Sequence, residues 1–330
     1  MKILLITNQK KEFFKINSYT DVVNYYIQTY FEKLNIEFDI SPMKDRKTLS
    51  DSEIISFYKS LDISSYDYVL ALGLRYFTTI PKECGEELKS RKQALIIQMY
   101  DGGMLDSAPV DFTLTARDDS DKYPVDAPAN RNKRHHENNV YLGWAADKNL
   151  FLPRQFPFEL RILVDHTIYD VSQPDRTMDI LIKIRSFVKS RIWSDRYANV
   201  IVRMIVDNEV VTIDIDNISI KPYNRKGVAY IDMAKELNMT DIYFVTHGES
   251  VGLNALEAAM SGALVISPIG FMKKNLINSL YSYEFERTLD WVDILQKLDT
   301  KKSREIALKF DWEIIVKKML NILQEKQVEK

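Results

Sequence analysis

At 330 residues, 45% of them hydrophobic and 28% charged, the chain is longer than one hydrophobic core usually supports, so two domains are expected. Its formal net charge of -2 supplies no global field for nucleic acid, and its single cysteine, Cys84, excludes an intrachain disulfide. The opening "MKILLIT" is too short an apolar run for a signal peptide, and no stretch reaches the roughly 18 apolar residues of a membrane span, so the expected location is a reducing cytoplasm with at most a peripheral membrane contact.

Short apolar runs then alternate with segments of helical period, the pattern of parallel strands joined by crossover helices. "KILLIT" reads as a first buried strand, "YTDVVNYYIQTYFEKLN" as an amphipathic helix, and "YDYVLALGL", "QALIIQMY" and "DFTLTA" as further strands. A loop rich in charge and proline, "RDDSDKYPVDAPANRNKRHHENN", leads into "VYLGWAADKNLFLPRQFPF", where Pro153 and Pro157 suit a domain crossing. A second series follows: strand "LRILVDHTIY", helix "TMDILIKIRSFVKSRI", strands "NVIVRMIV" and "ISIKPY", helix "KGVAYIDMAKELN" and strand "DIYFVTH". The tail from about Lys301 places Ile306, Phe310, Ile314 and Ile315 at helical spacing and reads as one docked helix or a pair. The expectation is an α/β chain with a first domain over 1–152, a second over 153–304 and a C-terminal helix over 305–330 returning to the first. In such sheets ligands bind beyond the carboxyl ends of the strands, and two of them would face one another across a cleft.

One stretch of the second half carries chemistry. "HGESVGLNALEAAMSG", 247–262, lies between the apolar runs "IYFVT" and "ALVIS", which makes a strand, loop, helix, strand unit with Gly262 past the helix end in the left-handed position. Glu249 falls in the loop, and the backbone N–H groups of Ser250, Val251, Gly252 and Leu253 form an anion-binding helix start, with Gly252 permitting close approach. Glu257 sits about one turn in, where its carboxylate can accept both hydroxyls of a vicinal diol such as ribose. Spacing alone fits equally well a solvated Glu257 and a Glu249 that gains roughly 0.3 to 1 kcal/mol from the helix dipole.

The stretch "HGESVGLNALEAAMSGALVIS" resembles the E-x7-E segment of family-4 glycosyltransferases, which have the GT-B fold. "GWAADKNLFLP" is similar to the interdomain segment of those enzymes and of CgeB-like glycosyltransferases. The resemblance implies two Rossmann-like doubly wound domains facing across a cleft, with the C-terminal helix packing back on the first. It implies transfer of a sugar from a nucleotide-diphosphate sugar to a hydroxyl acceptor (glycan, lipid, protein or modified DNA base), with retention and without a metal or other cofactor. Carried over by position, Glu257 binds the ribose, and Glu249 contacts the transferred sugar.

The chain departs from the family in lacking the glycines that accompany a diphosphate-binding arginine and lysine. "VDHTIYDVSQPDRTMDILIKIR" offers Arg176 first, then Lys183, Arg185 and the later Arg225 and Lys226, each of which also fits a solvated charge. Asp101 in "MYDGG" is the candidate to orient or deprotonate the acceptor hydroxyl, the other reading being a backbone turn. Tyr223 is a candidate to stack on the base, and His247 to cap the phosphate site or to bond a backbone carbonyl. Asp214 and Asp216 form an Asp-x-Asp pair, but the alternation in "VVTIDIDNISI" puts both on the wet face of a strand or hairpin rather than on a metal. His135 and His136 are adjacent, which suits one metal poorly, and no zinc spacing, Walker A or G-x-S-x-G sequence occurs. A non-catalytic nucleotide-sugar binder and a phage-type DNA base glucosyltransferase are the alternative readings.

Overall fold

The computed structural model describes residues 1–7, 12–16, 19–43, 49–72, 80–100, 110–116, 139–155, 158–166, 176–206, 209–216, 228–248 and 252–329. In chain order the first elements are β1 (Lys2–Thr7), α1 (Tyr19–Lys33), β2 (Glu37–Pro42), α2 (Asp51–Lys59), β3 (Tyr68–Leu72), α3 (Lys82–Ser90), β4 (Leu95–Tyr100), β5 (Phe112–Thr115) and β6 (Asn139–Tyr141). A second series runs β7 (Glu159–Asp165), α4 (Thr177–Ser190), β8 (Asn199–Val206), β9 (Glu209–Thr212), α5 (Tyr230–Leu237), β10 (Ile242–Val245), α6 (Leu253–Met260), β11 (Leu264–Pro268), α7 (Lys274–Ile277), β12 (Ser282–Phe285), α8 (Trp291–Gln296) and α9 (Thr300–Ala307). It ends in α10 (Trp312–Val328).

Two compact units result, one of Met1–Ser120, Ala129–Trp144 and Trp312–Lys330, the other chiefly of Ala145–Asp311. The first sheet has the order β2-β1-β3-β4-β5-β6 with every pair parallel. Its inner strands β1 and β3 are apolar on both faces, as parallel strands covered by helices must be. One face packs on α2 and α3 through Leu4, Ile6, Val69, Ala71 and Ile96. Helix α1 buries Val22, Val23, Tyr26, Ile27, Tyr30 and Phe31, a stripe at helical period. Against it lies α10, with the Trp312 indole stacked on Tyr26 at 5.1 Å. Hydrogen bonds hold α10 as well: the Tyr68 hydroxyl donates to the Leu323 carbonyl at 3.1 Å, and the Lys318 side chain donates through Nζ to the Leu142 carbonyl at 2.9 Å.

The two units meet in the chain at 144/145 and 311/312. The reason is hydrogen bonding. Ala146 N donates to the Phe310 carbonyl at 3.0 Å, Lys148 pairs with the buried Asp311 at 3.0 Å, and Arg304 donates to the carbonyls of Lys148, Phe151 and Met260. Residues 145–152 and 304–311 are thereby tied to the second unit. The tail is accordingly a pair of helices divided between units: α9 belongs to the second, α10 to the first. The apolar face of α10 is Trp312, Ile315, Val316, Met319, Leu320 and Leu323, whereas Ile314 stands 48% exposed. Among the described residues no helix is long and apolar enough to cross a membrane.

The second sheet has the order β12-β11-β10-β7-β8-β9, parallel except for the β8–β9 hairpin. Numbered within the unit this is 6-5-4-1-2-3, the Rossmann order, whose switch point falls between β7 and β10. Those strands are paired with Asp165 opposite Val245. The expected strand around the Asp-x-Asp pair is shorter than read: β9 ends at Thr212, and Asp216 beyond it pairs with Lys189 at 2.9 Å and Arg185 at 3.5 Å. The expected strand "ISIKPY" lies outside the described residues.

Candidate functional site

The carboxyl edge of the second sheet, at the β7/β10 switch point, gathers polar side chains that would be costly to bury unless bonded. The Asp165 carboxylate, 1% exposed at the end of β7, accepts from the Tyr243 hydroxyl and from Asn254 Nδ2 at 3.1 Å. Thr246 donates through its hydroxyl to the Asp165 carbonyl, and its own carbonyl accepts from Arg176 N at 2.8 Å. His166 Nδ1 lies 2.9 Å from Thr177 Oγ1, and the buried His247 has Nδ1 3.4 Å from Thr246 Oγ1. The ends of β7 and β10 are thus tied together, with the first turns of α4 and α6 attached.

Helix α6 begins at Gly252, in the left-handed region with φ 62. A β-carbon at Gly252 would sit 2.6 Å from Leu276 Cδ2 and 3.1 Å from Met272 Cε, so the segment after β11 presses on this turn. Lys273, in that segment, is buried although lysine seldom is. Leu253 is the first residue of the helix.

Glu257, four residues further on, is 1% exposed, and its Oε1 has no hydrogen-bond partner among the described residues. Burial pushes this carboxyl up to about 8, opposed by the neighbouring Tyr230 hydroxyl. A solvated helix glutamate, the alternative left open by spacing, is therefore not what forms. The helix ends as its sequence demands: Ser261 closes it and Gly262 follows with φ 93. A β-carbon at Gly262 would lie 2.3 Å from Thr300 Cγ2 and 3.0 Å from the Thr300 carbonyl oxygen. Gly262→Ala is expected to cost about 2 to 3 kcal/mol from strain and clash together, read as a drop in urea midpoint; an unchanged midpoint would contradict this.

The basic candidates are already engaged. Arg176, the residue preceding α4, bonds Asp179 and donates to the Glu286 carbonyl at 3.1 Å, and Lys183 bonds the same Asp179. Burial pushes the Asp179 carboxyl up, but these two bonds outweigh it and hold the group below the usual carboxylate range. Arg185 goes to Asp216. Among the described residues no group of three His, Cys, Asp or Glu is placed to hold a metal. Asp101, His135, His136, Tyr223, Arg225, Lys226, Glu249, Ser250 and Val251 lie outside the described residues.

Sequence reading singles out Glu257, Gly252, Leu253, Arg176 and His247, and all five belong to this edge or the helix leaving it. It passes over Asp165, His166, Thr177, Asn254 and Lys273. The signal available for Asp165 and His166 is their position: two polar residues closing an otherwise apolar strand.

No protein-family model matches the chain, and no curated protein is significantly similar to it in sequence. Solved structures match along its whole length. Sucrose-phosphate synthase (tll1590) from Thermosynechococcus elongatus superimposes with a TM-score of 0.61 at 11% identity, covering 100% of both chains. A UDP-N-acetylglucosamine 2-epimerase matches with a TM-score of 0.50 at 10% identity, over 97% of this chain and 94% of that one. The E. coli structure described as "Trehalose-6-phosphate from E. coli bound with UDP-2-fluoro glucose" matches with a TM-score of 0.51 at 8% identity, over 98% of this chain and 99% of that one. The chain has the GT-B fold, built from two Rossmann-like units with its last helix packed on the first.

Proposed function

We propose that this chain is a glycosyltransferase that moves a sugar from a nucleotide-diphosphate sugar to a hydroxyl acceptor, with retention and without a metal. The observation that carries the reading is Glu257: a buried carboxyl with an oxygen that has no hydrogen-bond partner among the described residues, one turn into a helix at the switch point of a Rossmann sheet. A buried acceptor atom left unbonded is costly, and a ribose diol supplies the missing donors. The anionic diphosphate is suited to the helix start, where free N–H groups and the dipole favour negative charge. Similarity to a protein bound with UDP-2-fluoro glucose supports the same class of donor.

In this reading the second unit binds the donor and the first the acceptor. Glu249 contacts the transferred sugar, and Asp101 orients the acceptor hydroxyl. The acceptor attacks from the face the diphosphate leaves, and charge growing on that leaving group is stabilised by dipoles already in place. The test is a thermal-shift screen against UDP, GDP, dTDP and CDP sugars, followed by assay of released nucleoside diphosphate. One donor class should raise the melting temperature by several degrees, since a ligand at a hundred times its Kd stabilises by about 2.7 kcal/mol, and it should be turned over with an acceptor. No stabilisation by any of the four would overturn the reading. Binding without turnover would leave a nucleotide-sugar binder, and release of an epimerised free sugar would point to epimerase chemistry.

A further inference from the structure

A parallel strand covered on both faces is expected to be apolar throughout, and β4 and β5 break that rule at one level of the first sheet. Gln98 of β4 stands in register with Ala71 of β3 on one side and with Thr113 of β5 on the other. Side chains alternate along a strand, so Gln98 shares the face of Ile96, the one packed on α2 and α3. Both polar residues are sealed in, Gln98 being 3% exposed and Thr113 5%. Gln98 Nε2 donates to Thr113 Oγ1 at 3.1 Å, and Gln98 Oε1 has no hydrogen-bond partner among the described residues. A buried amide oxygen left without a donor is costly, and leucine and valine would occupy the same two positions without that cost. Ala71 presents only a methyl group to Gln98 from β3. Thr115, buried on the same face two residues beyond Thr113, carries the polar strip to the end of β5, at the carboxyl edge where sheets of this kind bind ligands.

We propose that Gln98 and Thr113 form a binding site for a hydroxyl group of the acceptor substrate, a hydroxyl other than the one that reacts. This rests on the nucleotide-sugar reading and adds the chemistry of the acceptor, a polyhydroxylated molecule. The pair offers one acceptor, Gln98 Oε1, and one donor, the Thr113 hydroxyl, whose oxygen already accepts from Gln98. A hydroxyl both donates and accepts and so answers the two together. A carboxylate or phosphate dianion has no proton to give to Oε1, and an ammonium group cannot accept from Thr113. Water has the same capacity as a substrate hydroxyl, and the experiment separates the two.

The full chain is assayed with the nucleotide sugar that stabilises it most, and glucose, N-acetylglucosamine, ribitol and glycerol are each offered as acceptor. The double variant Gln98→Leu, Thr113→Val removes the polar pair at similar volume. It is expected to match or exceed the wild-type urea midpoint, because apolar groups of like shape relieve the unpaired amide. Donor Kd should stay within twofold of wild type, while KM rises at least tenfold for the polyol that wild type uses. A crystal structure with that polyol should place one of its hydroxyls on Gln98 Oε1. A lower urea midpoint with acceptor KM unchanged, or only water against Gln98 in that structure, would overturn the proposal and make the pair structural. Absence of turnover with all four polyols would overturn it as well, and the donor reading would then still stand on the thermal shift. If no nucleotide sugar stabilises wild type, both fall together.

Discussion

Glu257→Ala is expected to raise the donor KM roughly a hundredfold and to leave kcat within a few fold. Hydrogen bonds to a charged group contribute about 1.5 to 3 kcal/mol each, and loss of about 3 kcal/mol of binding common to ground and transition states appears in KM alone. Steady-state kinetics with donor varied at saturating acceptor reads the split; a fall in kcat with KM unchanged would move Glu257 from donor binding to chemistry. The residue also makes the protein sensitive to pH. Burial pushes its carboxyl up to about 8, from 4.5 for an exposed glutamate. Between those two values the folded chain holds a proton that the unfolded chain has released. Stability from this group is fully present below the unfolded value and is lost as pH rises through about 8. Glu257→Gln, which imitates the protonated acid, should gain on wild type across that window, by roughly 1.4 kcal/mol for every tenfold fall in proton concentration. Denaturation midpoints of the two proteins that stay parallel with pH would contradict this. Diol hydroxyls donating to the carboxylate favour its ionised form. The wild-type donor KM should therefore fall as pH rises toward 8 and level off above it, a trend absent in the glutamine variant.

The second large effect belongs to the frame. Trp312→Ala is expected to cost about 3 to 5 kcal/mol, the range for deleting a large buried aromatic. Trp312 is 1% exposed, opens α10 and stacks on Tyr26 of α1 at 5.1 Å with 11° between the ring planes. Its removal leaves a void where the returning helix meets the first unit. Chemical denaturation should show a lower midpoint, with protease cleavage near α10 at a denaturant concentration where wild type resists. A loss below about 1 kcal/mol would mean that the interface collapses to fill the space.

What the sequence displays depends on how each segment meets its neighbours. The buried strands β1, β3, β4, β7, β8, β10 and β11 can be read because parallel strands covered on both faces are continuous apolar runs. Strand β2, "EFDISP", lies at a sheet edge and is largely exposed, so it lacks that run. Helix α3 buries only Cys84, Gly85 and Leu88, too few to make a stripe. Helix α2 is readable in principle, because Ser50 and Glu53 form a capping box with Ser50 N to Glu53 Oε2 at 2.7 Å, and S-x-x-E is its sequence mark. Proline marks a break in local structure, whereas membership of a unit is fixed by hydrogen bonds that Arg304 donates and Asp311 accepts over long sequence distances.

The site divides in the same way. Gly252, Glu257 and Gly262 share one short segment, so their relation is local and can be read from spacing. Asp165 and His166 acquire meaning only when strand order brings β7 beside β10, linking Tyr243 to a carboxylate 78 positions away. No periodicity within either segment records that meeting.

Whether the carboxyl of Glu257 receives the ribose of a nucleotide sugar is tested most directly by a crystal structure with the nucleoside diphosphate that stabilises the protein most. The expected result is a ribose whose two hydroxyls bond Glu257, with the diphosphate against the start of α6. A nucleotide bound elsewhere, or one at this edge with Glu257 still sealed away from it, would contradict the account.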